Sequence, residues 1–427
     1  MHGPAIGYDD ALTLALEAAL AAPCPTETIR LEQAAGRWLR APVRLEGALP
    51  PFDHAAMDGY AVRSADLPVS ETETRRLRVL GHAWPGRPAS CAVGPGEAIR
   101  IATGAPLPAG ADQVVERERA RTEDPAASTV ELRAARAPGR HIRRAGEEAQ
   151  PGRCVLAAGL RLGPEQLALA AAAGASRLTV ARRCAVAVLS TGDELVAPWQ
   201  RPEPHEVRDS NSALLQALLA GVGVRPVALG RARDRLPAVR AAAEAAFATG
   251  CRVLVSTAGA SVGTRDHVPE AARALGFEPV WRSVAMKPGH PVALWRADTR
   301  LWFALPGNPV AAAVCARTLL LPALETQLAG CARPPGWCAA RLGEALRPRG
   351  GRTWFRHARL AVGADGVLAV ERLLPHGSAR LTSAAAANAI VRIDGPQEAG
   401  DLVPALPFGP LGPSAIPAAY EASGASP

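Results

Sequence analysis

The chain has 427 residues, of which 48% are apolar, and its formal net charge at pH 7 is +8. This length permits two to four domains with buried cores, and the apolar content excludes a disordered chain. No stretch approaches the roughly 20 uninterrupted apolar residues of a membrane span, so we expect no membrane segment. Asp9 and Asp10 precede the first apolar run, which indicates an amphipathic helix and not a signal peptide.

The positive charge alone does not indicate a nucleic-acid-binding protein. The arginines are spread along the chain beside acidic residues, and only 4% of residues are aromatic. No recognition helix, RNP-type strand or basic tail is recognisable, so we expect no nucleic-acid partner. The eight cysteines form no CxxC pair, which favours reduced cytoplasmic thiols and no zinc site.

In chain order, the first predicted elements are helices over 9–21 and around 27–35, the second starting at Thr26 or Thr28. Short β-like runs separated by Pro and Gly then predict a β domain over 48–141. A helix returns at 163–173, where Pro164 suits the first helical turn. We assign 1–47 and 142–177 to one discontinuous helical and linker domain.

From about 178 to 327, strands alternate with helices, which is typical of a parallel α/β sheet covered on both faces. Residues 328–405 revert to short strands and predict a small β barrel or sandwich. The tail over 406–427, rich in Pro, Ala, Ser and Gly, is predicted to be disordered. The fold class is therefore multidomain, with one α/β domain and two β-rich domains.

Three strand-to-helix junctions of the α/β domain carry unusual loops. In an open α/β sheet, ligands bind outside the carboxyl ends of the strands, where these junctions lie. The loops are TGDEL with Gly192, Asp193 and Glu194; TAGASVGTRD with Gly259, Ser261, Gly263 and Asp266; and LPGNP with Pro306, Gly307, Asn308 and Pro309.

Glycine-rich turns and helix N-termini suit phosphate-like anions, and carboxylates suit a hard cation such as Mg²⁺. The three loops together therefore predict a phosphorylated ligand and a divalent metal. Taken singly, each loop has another interpretation: a turn with a helix-capping acid, a tight turn, or a helix start. The chain lacks a GxxxxGK[ST] loop, which disfavours ordinary P-loop ATP hydrolysis.

One compositional feature singles out MKPGHP. Of the 48 basic residues, Lys287 is the only lysine. A lysine offers a compact point charge and an arginine a planar fork, so the two are not interchangeable at a tight oxyanion site. We interpret Lys287 as functional, with chance survival of one lysine as the alternative.

Along the chain, the motifs are PPFDHAAMDGYAVR, IRIATGAPLPAGADQVVERE, HIRRAGEEAQPG, VLSTGDELV, DSN, TAGASVGTRD, VAMKPGHP, LPGNPVAA, RTWFRHARL and GSARLTSAAAANAIV. In this order, over about 5–405, they resemble the motifs of the molybdopterin molybdenumtransferases, the MoeA and gephyrin E-domain family. The resemblance implies a central MogA-like three-layer domain and a homodimer of four-domain subunits. The implied reaction takes adenylated molybdopterin and molybdate, inserts molybdenum into the dithiolene and releases AMP.

The resemblance also implies roles for individual residues. Asp58 and Thr103 would line the cleft from the β domain of one subunit, opposite the α/β domain of the other. Glu194, Asp234 and Asp266 would orient Mg²⁺ and the pyrophosphate-type linkage, with Glu194 and Asp266 as metal ligands. Lys287 would hold molybdate, and Arg356 would face the substrate. From the residues alone, Asp58 could be a turn acid and Asp234 a helix N-cap.

The remaining implied substrate-binding positions are those of the three loops: Gly192, Asp193, Gly259, Ser261, Gly263, Pro306, Gly307, Asn308 and Pro309. A molybdopterin adenylyltransferase and acceptor molybdoenzymes are implied as transient partners.

The chain departs from the family pattern at several of these motifs. The affected positions are His54, Ala55, Glu148, Ala258, Thr264, His290 and Ala311. His290 replaces the second lysine of KPGKP, and its charge would depend on pH. These departures leave open a second hypothesis, in which the protein binds or carries the cofactor without inserting metal. Adenylation of molybdopterin is a third, weaker hypothesis, because TAGASVG differs from the GGTG loop of those enzymes.

Overall fold

The computed structural model describes residues 5–121, 128–258, 267–348, 350–363, 365–374 and 380–409. Its N-terminal part begins with helix α1 (Tyr8–Leu20), as predicted. Strand β1 (Thr26–Arg30), a 3-10 turn (Leu31–Gln33) and strand β2 (Val43–Arg44) follow. The prediction of a helix around 27–35 is therefore wrong, because this segment forms β1 and a 3-10 turn.

A six-stranded sheet, the N-terminal sheet, occupies the region where a β domain was predicted. Its order is β7-β4-β6-β5-β9-β8, and two hydrophobic clusters pack on it. The strands of this region are β3 (His54–Ala55), β4 (Gly59–Val62), β5 (Arg75–Ala83), β6 (Glu97–Ile101), β7 (Gln113–Glu116), β8 (Ala120–Arg121) and β9 (Thr129–Leu132).

The chain then returns to the elements that preceded this sheet. Strand β10 (Ile142–Arg143) pairs with β3, and strand β11 (Cys154–Leu156) pairs with β2. Helix α2 (Pro164–Ala172) confirms the predicted helix, and strand β12 (Arg177–Ala181) runs antiparallel to β1. Segments 1–47 and 142–177 thus share the β2–β11 pair, and β12, which extends to Ala181, pairs with β1 across the predicted boundary. Our exact domain boundaries stay predictions.

The central sheet confirms the predicted three-layer α/β architecture. The elements of this region are β13 (Ala185–Thr191), β14 (Leu195–Val196), β15 (Val207–Arg208), α3 (Asn211–Gly221), β16 (Arg225–Ala232), α4 (Leu236–Ala248), β17 (Val253–Thr257), α5 (Val268–Ala274), β18 (Glu278–Trp281), β19 (Met286–Lys287), β20 (Ala293–Ala297), β21 (Arg300–Leu305), α6 (Pro309–Cys315), a π-helical segment (Ala316–Leu320) and α7 (Leu321–Ala329).

The strand order is β16-β13-β17-β21-β20-β18. The first four strands are parallel, whereas β20 pairs antiparallel with both of its neighbours. The expectation of a parallel sheet therefore holds for four strands and fails at one edge. A tight turn at Asp298 joins β20 to β21 as a hairpin, which requires antiparallel pairing. Separate buried clusters cover the two faces of the sheet.

One helical run, Pro309–Ala329, is long and apolar enough to cross a membrane. In this fold, however, 78% of its most apolar window is buried inside the protein. The run packs against α1 and the central sheet, so its apolar composition is that of a core helix.

The C-terminal strands form the predicted closed barrel. Five of them join in the ring β23-β24-β22-β26-β25, which closes by pairing of β25 with β23. The short strand β19 attaches outside this ring, where Lys287 lies beside Trp354. The elements are β22 (Cys338–Arg341), β23 (Thr353–Val362), β24 (Leu368–Leu373), helix α8 (Leu381–Ala386), β25 (Ala389–Ile393) and β26 (Leu402–Pro407). The tail predicted over 406–427 starts too early, because β26 includes Leu406 and Pro407; 410–427 lie outside the described residues.

The cysteines differ in one respect from the expectation of reduced thiols. Cys24 and Cys184 are joined in a disulfide, which links the segment after α1 to the segment before β13. The other six cysteines are free. Sequence spacing gave no sign of this pair, because the two residues are 160 positions apart.

Candidate functional site

Buried hydroxyl groups hold together the carboxyl ends of β13 and β17. Thr191 Oγ1 donates to the Thr257 carbonyl oxygen at 3.1 Å, and Thr257 Oγ1 lies 3.3 Å from Ser190 Oγ. All three side chains are at most 2% exposed. Because buried hydroxyls are costly unless hydrogen-bonded, this network fixes the point at which the chain leaves both strands.

An acidic edge lies directly beyond these strands. The Gly192 N–H donates to the Ala232 carbonyl at 3.3 Å, so the loops after β13 and β16 are adjacent. The Asp234 N–H also approaches the Asp193 carboxylate, at 3.4 Å. Asp193 and Glu194 are exposed and Asp234 is half-buried. The predicted carboxylates Asp193, Glu194 and Asp234 thus lie together beyond the carboxyl ends of β13 and β16, and these three residues define the acidic edge.

Carboxylate oxygens are the ligand type that Mg²⁺ prefers, so this edge fits the ion in donor chemistry. Within the described ranges, however, no group of three or more His, Cys, Asp or Glu side chains is arranged to hold a metal. Magnesium usually keeps several water ligands and takes others from substrate phosphates. The acidic edge therefore fits Mg²⁺ together with a phosphorylated ligand. Gly259, Ser261, Gly263 and Asp266 lie outside the described residues.

The PGN loop, Pro306–Asn308, is held by the strands and helix around it. The Ala258 N–H donates to the Leu305 carbonyl at 3.1 Å, and Asn211 Nδ2 donates to the Gly307 carbonyl at 2.7 Å. Ala258 has a φ of +66°, a conformation that favours glycine. A Cβ on Gly307 would lie 3.2 Å from the Ala258 Cβ. Any side chain at position 307 would therefore crowd the Ala258 side chain. Helix α6 begins two residues later, at Pro309.

Two residues of the DSN motif support these loops although we did not predict roles for them. The Asp209 carboxylate accepts hydrogen bonds from the Ser212 N–H at 3.0 Å and the Ser212 hydroxyl at 2.6 Å. Ser212 Oγ in turn lies 2.9 Å from Ser190 Oγ. Asn211 binds the PGN loop, as described above. The motif itself was visible in the sequence, but only the fold places it under two strand ends.

A basic cavity of about 340 Å³ separates the α/β unit from the C-terminal barrel. It contains three of the predicted residues from the α/β unit, Lys287, Pro306 and Asn308, and Arg356 from the barrel. Its other charged or ionisable lining residues are His290, Arg352, His357 and Arg380. No Asp or Glu lines it among the residues that the structure describes. This surface therefore suits an anion.

Two donor atoms of residues that line the basic cavity have no partner inside the described part of the protein. Trp354 Nε1 and Arg356 Nε are buried without a hydrogen-bond partner among the described residues. Both atoms are covered by other protein atoms, so they do not face a ligand in the cavity. The Lys287 ammonium lies 4.6 Å from the centre of the Trp354 ring, a cation–π contact that positions it at the cavity wall.

Burial also shapes the protonation of this wall. It lowers the pKa of His357 to about 4, assisted by the charge of Arg317, so this imidazole is neutral at pH 7. It also lowers the pKa of the Arg356 guanidinium, which the carboxylate of Glu344 opposes. An arginine stays charged despite such a shift. The basic cavity thus combines fixed cations with one neutral imidazole.

Asp58 lines a separate cleft of the N-terminal sheet, and Thr103 is hydrogen-bonded to it. The Asp58 carboxylate accepts hydrogen bonds from the Thr103 N–H and hydroxyl, each at 2.8 Å. These bonds hold the pKa of Asp58 below its usual range. Gly59 is required beside it, because a Cβ there would lie 1.9 Å from the Val115 carbonyl oxygen. The cleft measures about 170 Å³, and its described lining comes entirely from the N-terminal sheet, including Arg100 and Arg117.

One chain thus presents two separate groups of predicted residues. Asp58 and Thr103 form the first. The second comprises the acidic edge, at the ends of β13 and β16, and the basic cavity. The PGN loop follows β21 of the same sheet, and its Pro306 and Asn308 line the cavity. Trp354, Arg352 and Arg380 were not predicted as site residues; RTWFRHARL and GSAR were recognisable, but only the fold shows which side chains face the cavity.

Comparisons with known proteins agree in three successive regions between residues 6 and 408. Three family models match in succession: "MoeA N-terminal region (domain I and II)" over 6–174, "Probable molybdopterin binding domain" over 187–326, and "MoeA C-terminal region (domain IV)" over 339–408. A molybdopterin molybdenumtransferase of Bacillus subtilis (strain 168) is 33% identical over 305 residues, which cover 71% of each chain.

A molybdopterin molybdenumtransferase of Synechococcus elongatus is 33% identical over 361 residues, covering 83% of this chain and 88% of its own. A solved structure of the molybdopterin biosynthesis MoeA protein from Pyrococcus horikoshii OT3 has a TM-score of 0.79 at 25% identity. That comparison covers 95% of this chain and the whole of the other.

Proposed function

The chain belongs to the MoeA family and acts as a transferase in molybdenum cofactor biosynthesis, and we propose that it inserts molybdenum from molybdate into adenylated molybdopterin and releases AMP. The relatives that support this activity are named as transferases. They give no support to the alternative of a protein that only carries the cofactor.

The basic cavity is the observation that carries this proposal. Molybdate is a tetrahedral dianion, and the described lining offers Lys287, Arg352, Arg356 and Arg380 without an opposing carboxylate. Donors that are preorganised in a partly dehydrated site stabilise charge without reorganising when the reaction occurs. We therefore place molybdate here, with Lys287 as its point-charge ligand.

We place the pterin nucleotide at the acidic edge, next to the basic cavity. Asp193, Glu194 and Asp234 lie at the strand ends, where phosphorylated ligands bind in open α/β sheets. Glu194 and Asp266 would hold Mg²⁺, which when bound neutralises phosphate charge. Gly192, Gly259, Ser261 and Gly263 would offer backbone and hydroxyl donors to the phosphates. The PGN loop borders both ligands, so Pro306, Gly307, Asn308 and Pro309 would set the distance between phosphate and molybdate.

Asp58 and Thr103 require a second copy of the chain in this proposal. Within one chain Asp58, with Thr103 hydrogen-bonded to it, lines a cleft whose described lining includes no residue of the central sheet or the barrel. We propose a homodimer in which this cleft of one subunit faces the acidic edge of the other. The ionised Asp58 would then position the pterin rather than contact the molybdate. We also propose a cytoplasmic location and transient contacts with a molybdopterin adenylyltransferase and with acceptor molybdoenzymes.

The activity is tested by incubating the purified protein with adenylated molybdopterin, Mg²⁺ and molybdate. We expect AMP release that depends on molybdate, and a product that activates a cofactor-free molybdoenzyme. Omitting Mg²⁺ tests the metal separately, and we expect turnover to stop. Tight binding of adenylated molybdopterin without AMP release would contradict the transferase proposal and leave only a carrier.

A further inference from the structure

The imidazole of His290 lies on the wall of the basic cavity, three positions after Lys287. Its Nδ1 is 2.8 Å from the carbonyl oxygen of Val284, and the Val284 N–H returns a bond to the His290 carbonyl at 3.1 Å. A carbonyl oxygen only accepts, so Nδ1 must carry a proton in this arrangement. These two bonds fix the ring and determine its tautomer.

The tautomer leaves Nε2 as the atom whose character changes with pH. In the neutral ring Nε2 offers a lone pair, whereas in the cationic ring it offers an N–H donor. Among the described residues, Nε2 has no hydrogen-bond partner. At Nε2, a neutral ring therefore offers an anion only a lone pair, which repels it. A protonated ring offers the anion both an N–H donor and a positive charge.

The groups around His290 are fixed cations, one neutral imidazole and one buried thiol. The fixed cations are Lys287 from its own segment, Arg352 and Arg356 from the barrel strand β23, and Arg380 before α8. His357 on β23 is neutral, because burial lowers its pKa to about 4. Cys315 of α6 approaches Gly289, and burial raises the pKa of its thiol far above neutrality. Histidine is the side chain whose charge ordinarily changes between pH 5 and 8.

We propose that His290 makes oxyanion capture by this protein depend on a proton, so that molybdate binds tightly only when the imidazole is cationic. This inference rests on the proposed function of the basic cavity. The sign follows from linkage. A bound dianion favours the cationic ring, so binding is strongest at low pH and weakens as the pH rises and the free imidazole loses its proton. We expect about tenfold weaker binding at pH 8.5 than at pH 6.

The test measures the Kd of sodium molybdate by titration calorimetry between pH 6 and 8.5. The wild-type protein is compared with His290→Lys, which keeps the charge throughout this range, and His290→Gln, which never has it. We expect the wild-type Kd to rise about tenfold across the range. The lysine variant should bind tightly throughout, and the glutamine variant should bind weakly throughout. Near-ultraviolet circular dichroism checks that all three proteins are folded alike.

The outcomes separate this inference from the function on which it rests. If wild-type protein and His290→Lys bind equally well at every pH, the proton-dependent capture is overturned while the cavity remains an oxyanion site. The same conclusion follows if the lysine variant shows the wild-type pH dependence, because another group must then be titrating. If neither protein binds molybdate at any pH, the proposed function fails, and this inference fails with it.

Discussion

Lys287 illustrates how much one residue can indicate before a structure is known. Its being the only lysine among 48 basic residues singled it out, and the fold places it on a cavity wall with three arginines. The sequence could not show Trp354, which positions the ammonium through its ring and lies 67 residues further along. Such a partner depends on the pairing of β19 with β23, a non-local contact that leaves no local pattern.

Lys287→Arg is predicted to lower molybdate-dependent AMP release at least about tenfold, because a planar fork does not replace a compact ammonium at a small oxyanion. The thermal unfolding midpoint should stay within about a degree of the wild-type value, since the side chain is exposed. Arg341→Lys, at an exposed barrel ion pair with Asp365, is the matched control and should keep full activity. Unchanged turnover in Lys287→Arg would show that the compact amine is not required.

Thr103 is predicted to hold Asp58 in its ionised form. Thr103→Val removes the hydroxyl donor but keeps the backbone N–H, so the pKa of Asp58 should move upward, toward its ordinary value. Since the wild-type pKa is depressed, the wild-type carboxylate should stay ionised to lower pH than that of the variant. Carbon-13 NMR titration of the Asp58 carboxyl measures both. An Asp58 titration that the valine substitution leaves unchanged would show that the hydroxyl does not support the carboxylate.

The contact between Gly307 and Ala258 gives a prediction about stability. Gly307→Ala would place two methyl groups about 3.2 Å apart, closer than carbon atoms normally pack, and should destabilise the protein by about 1 to 3 kcal/mol. Adding Ala258→Gly removes one methyl group and a left-handed alanine, and should restore most of the loss. Urea unfolding of the two single variants and the double variant measures this coupling. Strictly additive effects would contradict it.

At the scale of elements, the sequence predicted the helices and strands whose apolar residues recur at a regular spacing. It missed elements that form only by pairing with a strand far away in the chain. Helix α1 and the alternation of strands and helices in the α/β unit were predicted, because each of these elements buries one face or both. The threonines at 26 and 28 predicted the start of a helix around 27–35. Instead, β1 pairs along its full length with β12, about 150 residues away. That pairing overrides local propensity.

Helix α3 is predicted to keep the PGN loop in place through a single side chain. Asn211→Ala removes the 2.7 Å hydrogen bond to the Gly307 carbonyl, and should cost about 1 kcal/mol of stability. A loosened loop should also raise the molybdate concentration for half-maximal AMP release, since small misplacements weaken positioning. Gln216→Ala on the same helix is the control. If the two variants have the same kinetics, α3 has no part in positioning the loop.

At the scale of the whole molecule, the succession of strands and helices predicted the β-rich sheet, the three-layer α/β unit and the barrel, and the structure and comparisons confirm this fold class. The site was less predictable. Composition and motifs identified the loops, and only the family resemblance implied that Asp58 and the α/β domain of its cleft come from different subunits. The structure places Asp58 and Lys287 in separate cavities of one chain. How two copies would unite them depends on surface shape, which no periodicity in the sequence encodes.

The central claim is that one reaction site combines the Asp58 cleft of one subunit with the acidic edge and basic cavity of the other. The most direct test mixes Asp58→Asn and Lys287→Arg proteins, each impaired alone, and allows their subunits to exchange. Random pairing makes half of the dimers mixed, and each mixed dimer has one intact site of two. We therefore predict that AMP release recovers to about a quarter of the wild-type rate. A mixture that, after verified exchange, never exceeds the sum of the two variants would contradict the account.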